Sequence, residues 1–190
     1  MYLKKVDIKE FKKVIYEEYK NIFPKEERKT YTDLERSYNN KITDIFKIVD
    51  NEQFIGFIIT NFLENNPIVQ LDYFAILPKY QNKGYGTNAI KLLKERYKEY
   101  DAIFIEIEKV GYGNNNLENK MRKRRANFYE NLGFCKMMFD LNLYKIIYSA
   151  YILTCSNNVL KEEVVIENIF EIYKSILGEK KVEKNCKVLF

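Results

Sequence analysis

The sequence contains no histidine, and that one absence removes many mechanisms. It excludes Ser-His-Asp and Cys-His nucleophile systems, histidine-ligated zinc or haem, and histidine as a general base. Proton transfer is left to carboxylates, tyrosine, lysine, cysteine or water. Cysteine is scarce too: Cys135, Cys155 and Cys186 are scattered without metal or redox spacing, which predicts free, buried thiols in a reducing compartment and no metal site. Long apolar runs are missing as well. The longest, Ile146 to Cys155, is too short to cross a bilayer, and the first eleven residues lack the apolar core of a signal peptide. A cytoplasmic protein with no membrane partner is the expectation.

What is present is a chain of 190 residues, 46% hydrophobic and 31% charged. That fits one ordinary domain with a genuine core. The net charge of +5 permits an anionic ligand without requiring one. No internal repeat or low-complexity linker interrupts the chain.

Asp7 reads as an N-cap with Glu10 completing a capping box. Ile8, Phe11, Ile15, Tyr19 and Ile22 then mark an amphipathic helix over residues 8–22, stopped near Pro24. A second helix is predicted to start at Thr32, boxed by Glu35, and to end at Asn39-Asn40. Strands follow at 45–49, 54–62 and 68–76, joined by turns short enough to force antiparallel pairing. After Ile76 the pattern changes to a loop, a helix with Ala89, Ile90, Leu93 and Tyr97 on one face, and a strand over 102–110. The crossover helix permits parallel pairing there. A Gly/Asn loop leads to a helix over 117–131, closed by Gly133. Strands at 134–139 and 143–154, an amphipathic helix over 160–177 and a fraying Lys-rich tail complete an α+β chain.

The densest chemical signal is Leu71 to Leu93. Gly84 and Gly86 remove side chains where a loop enters a helix, so consecutive N–H groups and the positive helix end can meet an anion. A glycine pair serving only a tight turn is the plain alternative. No Gly-x-x-x-x-Gly-Lys-Ser/Thr occurs, so a Walker loop is excluded. Gly84, Gly86 and Ala89 match the dinucleotide fingerprint, with acids at Glu106 and Glu108 downstream. Against it stand the seven-residue loop before Gly84, the antiparallel hairpins upstream, and too little chain after Val110 for a second nucleotide half.

The segment Gln81-Asn82-Lys83-Gly84-Tyr85-Gly86 resembles the Gln/Arg-x-x-Gly-x-Gly/Ala pyrophosphate loop of the GNAT superfamily of acyl-CoA-dependent N-acyltransferases. Residues 126–134, Ala-Asn-Phe-Tyr-Glu-Asn-Leu-Gly-Phe, resemble the superfamily's second signature, a tyrosine-bearing helix ending in Leu-Gly-Phe. The order of elements is similar as well. The likeness covers about residues 1–155, taken as a GNAT-like domain, with 156–190 as a C-terminal helical extension. It implies a mixed, mostly antiparallel sheet with a splayed central parallel pair and helices on both faces.

The resemblance also implies roles. The backbone of Phe74, Ala75 and Ile76 would pair with the pantetheine arm, and the Ile76 N–H would polarise the thioester carbonyl. The amides from Gln81 to Gly86, with Asn82, Lys83 and Tyr85 between them and Thr87 opening the helix, would hold the pyrophosphate. An alkylammonium acceptor, with a pKa near ~10.4, must lose a proton before attack. Glu106 matches the family's base position, and Glu108, two residues along on the same face, is the reserve. Tyr129 matches the acid that protonates the departing thiolate. Arg122 stands where the family often has a CoA-binding Asn, and that role is not transferred to it.

The implied activity is transfer of an acetyl group from acetyl-CoA to a primary amine by direct attack in a ternary complex, for no activated nucleophile for a covalent route is visible. A non-catalytic acyl-CoA-binding module of the same fold is one rival. A basic RNA-associated protein, suggested by Met121-Arg-Lys-Arg-Arg125, is another, though no interleaved aromatics accompany that run. The acceptor's identity is open, and a homodimer is compatible with the unassigned C-terminal stripe.

Overall fold

A computed structural model describes residues 1–190. Eight strands form one open sheet in the order β1-β2-β3-β4-β5-β7-β6-β8, with antiparallel pairs on both sides of the parallel β4–β5 pair, and six helices. The expected α+β class and GNAT-like sheet are what the chain adopts. Two compact units divide it: Met1–Leu63 with Leu71–Arg96, and Glu64–Gln70 with Tyr97–Phe190.

The first unit begins with β1 (Tyr2–Lys5), paired antiparallel with β2 (Thr43–Asp50). Helix α1 covers residues 8–22 and widens into a π-helical turn at Phe11–Ile15. Asp7 caps it, its Oδ1 accepting the Glu10 N–H at 2.7 Å. The Glu10 carboxylate turns instead to Lys47 and Lys4, so only half of the capping box forms. Phe11, Ile15 and Tyr19 lose all exposure against Ile45, Phe57, Ile59 and Tyr73 of the sheet. Each side chain of that size contributes about 1.5–3 kcal/mol by leaving water. Helix α2 runs Tyr31–Asn39, and its cap is Thr30 rather than Thr32. The Thr30 Oγ1 accepts from the Asp33 N–H at 3.1 Å, while Glu35 takes the Tyr31 hydroxyl at 3.0 Å. Strand β3 (Gln53–Asn61) pairs antiparallel with β2, and β4 (Ile68–Ile76) lies next to β3. Helix α3 (Tyr85–Arg96) buries Ala89, Ile90 and Leu93, as its sequence face predicts.

In the second unit the start of β4 pairs parallel with β5 (Ala102–Glu108), in the register Ile68↔Ala102 to Gln70↔Phe104. Strand β5 pairs along its whole length with β7 (Ile146–Thr154). Helix α4 (Asn116–Glu130) is capped by Asn115. Strand β6 (Cys135–Leu143) reaches β7 through Tyr144-Lys145, both with positive φ (52° and 73°). That turn lacks the usual Asn-Gly signal, which is why the expected break at 139–143 is displaced.

Helix α5 (Glu162–Leu177) docks on its own unit. Val165, Ile169 and Tyr173 are buried in a cluster that includes Phe104, Phe139, Leu141 and Ala150, and Ile172 and Ile176 are buried beside them on the helix. The buried stripe is rotated from the expected one: Ile166, Phe170 and Leu177 flank it half-covered. The Lys-rich tail does not fray. It forms α6 (Glu179–Asn185) and β8 (Cys186–Leu189), which pairs antiparallel with β6. No helix is long and apolar enough to cross a membrane.

Candidate active site

The loop after β4 is a short stack of turns. The Leu77 N–H donates to the Ile55 carbonyl at 2.9 Å, and residues 78–80 form a single 3₁₀ turn. Gln81 acts as a pin: its Nε2 donates to the Ile76 carbonyl at 2.9 Å and its N–H to the Pro78 carbonyl at 3.2 Å. Asn82 and Gly84 then take left-handed backbone angles, φ 62° and 80°. Asparagine tolerates that region and glycine adopts it freely.

The first main-chain bond of α3 runs from the Asn88 N–H to the Gly84 carbonyl at 3.1 Å. Gly84 therefore sits at the cap, and the N–H groups of Tyr85, Gly86 and Thr87 have no partner within the helix. Residues 81–84 are exposed and 85–87 half-buried, and a side chain at Gly84 would have nothing within 4 Å. The turn is open to a ligand. The Lys83 ammonium lies beside it, bonded to the Lys79 carbonyl at 3.0 Å and 6.0 Å from the Tyr80 ring centroid.

Two tyrosines brace this loop on the β2–β3 turn. The Tyr85 hydroxyl donates to Asp50 Oδ2 at 3.1 Å and the Tyr80 hydroxyl to Gln53 Oε1 at 2.9 Å, with the rings edge to face at 6.0 Å. The bond holds Asp50 below and Tyr85 above their ordinary pKa values; the Met1 ammonium, 3.0 Å from Asp50, is the larger cause for the acid. Sequence reasoning missed Asp50 and Gln53, for no local pattern links positions 35 and 27 residues apart. Phe74, Ala75 and Ile76 end β4, with Ala75 buried and its two neighbours half-buried. The alternation sends Tyr73 and Ala75 to the α1 side.

In the second unit, Glu106 and Glu108 share one face of β5 but meet different partners. Glu106 Oε1 accepts from Gln70 Nε2 at 2.8 Å. Gln70 is buried and was not anticipated from sequence, being 36 residues from its partner. Glu108 is gripped by two arginines of α4: Arg122 Nη2 at 2.5 Å and Arg125 Nη1 at 3.2 Å. Arg122 Nη1 also donates to the Lys109 carbonyl at 3.2 Å. A carboxylate in such a fork is committed to its cations. Two arginines of the basic run are thus committed to Glu108, Arg122 half-buried and Arg125 from the exposed face that it shares with Lys123 and Arg124.

Tyr129 lies near the end of α4, where the chain is closed by the Phe134 N–H bonding back to the Tyr129 carbonyl at 3.1 Å. Gly133, φ 89°, makes that closure possible. The Tyr129 ring is buried edge to face with Phe128 and Phe134, at 5.1 and 5.2 Å. Burial pushes its phenol up to about 12, opposed by the Arg125 charge. The phenol therefore keeps its proton over the whole physiological range.

The thiols correct one expectation. All three are free, but Cys135 is exposed and Cys155 half-buried; only Cys186 is buried. Burial, followed by the Glu106 charge, pushes the Cys186 thiol up to about 11, which keeps it un-ionised. No cluster of Cys, Asp and Glu is arranged to hold a metal ion.

Three kinds of likeness bear on this arrangement. Over 127 residues the chain is 29% identical to the RNA-directed RNA polymerase L of Bear Canyon mammarenavirus, covering 64% of this chain. It spans only 6% of that polymerase's length, too small a share to assign the larger protein's activity. A solved structure from Bacteroides thetaiotaomicron assigned to the GNAT family superposes with a TM-score of 0.76 at 21% identity, over 94% of this chain and 99% of that one. An aminoglycoside 6'-N-acetyltransferase complexed with coenzyme A superposes with a TM-score of 0.59 at 12% identity, over 84% of this chain and 100% of that one. At such identities the structures establish the fold. The model of the acetyltransferase (GNAT) family matches residues 12–134, spanning both the glycine loop and Tyr129. The chain belongs to the acetyltransferase (GNAT) family.

Proposed function

We propose that this chain is an acetyl-CoA-dependent N-acetyltransferase acting on a primary amine by direct attack on the thioester. The observation that carries the reading is the open turn at Gly84, where the first N–H groups of α3 have no partner within the helix. Backbone donors at a helix start suit a pyrophosphate. The coenzyme A bound to the aminoglycoside acetyltransferase of the same fold supports that ligand. The amides of Asn82 to Gly86, with Thr87 and the Lys83 charge, hold the anion; Gln81, whose N–H is engaged, holds the loop. Phe74, Ala75 and Ile76 supply main-chain partners for the pantetheine arm, and the Ile76 N–H polarises the carbonyl.

Glu106 takes the proton from the attacking amine and Tyr129 returns one to sulfur. The C–S bond of the thioester breaks as the C–N bond forms, and the products are an amide and coenzyme A. Glu106 is preferred over Glu108 because Glu108 is held by two arginines. The N-acetyltransferase region is taken as residues 1–155, with 156–190 as its C-terminal extension, in a protein of the cytoplasm. The test is calorimetric titration with acetyl-CoA, followed by thiol release with a panel of primary amines. Binding of acetyl-CoA and amine-dependent release are expected. Binding without release for any amine would leave a non-catalytic acyl-CoA-binding module.

A further inference from the structure

The parallel pairing of β4 with β5 runs from Ile68↔Ala102 to Gln70↔Phe104, so Gln70 closes the paired stretch. Phe104 and Glu106 share one face of β5. Gln70 reaches diagonally past Phe104 along that face, its Nε2 donating to Glu106 Oε1 at 2.8 Å. The glutamine is only 2% exposed. Ordering so long a side chain in a core is unfavourable in itself, and the bond to Glu106 is what its presence supplies.

A neutral amide suits both states of a group that must gain and lose a proton. Its N–H donates to the carboxylate, and after a side-chain rotation its oxygen accepts from the carboxylic acid. Glu108 is the contrast, held as an anion by Arg122 and Arg125 of α4. Titratable groups also stand on the other elements packed around Glu106. On β8 the Cys186 thiol feels the Glu106 charge and keeps its proton. On α5 the Tyr173 phenol belongs to the buried cluster that holds Phe104. On β7 Ala150 lies opposite Glu106, and Tyr148 opposite Glu108.

We propose that Gln70 is the positioning residue of the base: its amide fixes Glu106 through Oε1, turns Oε2 to the amine proton, and keeps the carboxylate ionised at neutral pH. The inference rests on the acetyltransferase reading with Glu106 as its base. The proton passes from the amine to Glu106, and no bond to Gln70 is made or broken.

The test follows two properties. The first is the acidic limb of kcat/KM, read by thiol release with acetyl-CoA and an accepted amine. A hydrogen bond to the charged form lowers a carboxyl pKa. Gln70→Leu should therefore move the limb up by about one pH unit, the worth of one hydrogen bond to a charged group. Plateau kcat should fall by about tenfold through misaim of the base, with acetyl-CoA affinity unchanged. Gln70→Glu keeps the length of the side chain and adds a like charge, so the limb should move up further. Added to Glu106→Gln, Gln70→Leu should lower kcat no more, because it acts through that carboxylate alone. A limb that stays in place in both single variants, or a further loss in the double variant, overturns the proposal and makes Gln70 a structural residue.

The second property is the Glu106 carboxyl itself, titrated by carbon-13 NMR without substrate and assigned with Glu106→Gln. A pKa raised by about one unit in Gln70→Leu upholds the coupling; where no amine is acetylated, that result faults only the acetyltransferase reading. An unmoved pKa sinks the proposal, and thiol release by the unaltered protein then still upholds the acetyltransferase reading.

Discussion

In the first unit the groups proposed to meet the ligand are the main-chain N–H donors of residues 82–87, exposed or half-buried, whereas in the second unit Glu106 and Tyr129, the proposed proton carriers, are side chains set among buried neighbours. The two regions answer different physical demands. An anion with many oxygens is best met by several fixed dipoles, and a helix start offers them without any charged side chain. Proton transfer needs single groups whose ionisation is set by surroundings, and a buried phenol and a carboxylate bonded to a neutral amide suit the roles proposed for them. On the proposed reading the first region should tolerate changes of side chain but not of backbone access, and the second should reverse that tolerance.

Exchanging the carboxylates is the harshest trial of this contrast. Glu106→Gln is expected to lower kcat by about a thousandfold, within the range for loss of a general base, and to flatten the acidic limb of the rate profile. Glu108→Gln should change kcat far less, since that carboxylate neutralises Arg122 and Arg125. A pH profile of kcat/KM for each variant decides it. If Glu108→Gln alone removes the acidic limb, the assignment of the base is wrong by one strand position pair.

The next trial is on the loop. Gly86 does not have a positive φ, so its backbone accepts a side chain without strain. Gly86→Val should then fold normally yet weaken acetyl-CoA binding by about a hundredfold, because the added methyls block the helix start. Calorimetry with acetyl-CoA, beside a thermal melt, reads both effects. Undiminished affinity would move the anion away from this turn.

These two regions were also unequally legible from sequence. The glycine loop and the Leu-Gly-Phe helix end were readable because backbone geometry restricts which residues can stand there. The core of α1 was readable from the spacing of Phe11, Ile15 and Tyr19. Strand β1 was not: its four residues include Lys4-Lys5, it is mostly exposed, and no alternation marks it. Strand β8 was hidden for the same reason, since pairing with β6 rather than its own hydrophobicity holds it. Glu106 and Glu108 looked alike in sequence. Their difference comes from Gln70, Arg122 and Arg125, and depends on which elements the fold places against β5. Tertiary partners of this kind leave no local signature.

A milder effect separates the role of Tyr129 from that of the loop. Tyr129→Phe should lower kcat by about tenfold while leaving acetyl-CoA affinity unchanged, because donation to a leaving thiolate acts in the transition state. An unchanged kcat with chemistry rate-limiting removes Tyr129 from the mechanism, and a parallel loss of affinity would make it a binding residue like those of the loop.

The smallest expected effect is on stability in alkali, where the same phenol can be followed without any substrate. Burial raises the Tyr129 pKa from its ordinary value of 10.0 to about 12. Below the unfolded value both states hold the proton and its contribution is fully present. Between pH 10 and 12 the unfolded chain releases the proton while the folded chain keeps it, so stability falls as pH rises. By pH 11 the loss from this group is about 1 kcal/mol. Urea midpoints measured from pH 8 to 11 should decline less steeply for Tyr129→Phe than for the unaltered protein, whatever the offset between them at pH 8. Parallel declines would mean that the phenol ionises as freely in the folded chain as in water. The second region would then lack the burial that distinguishes it from the loop.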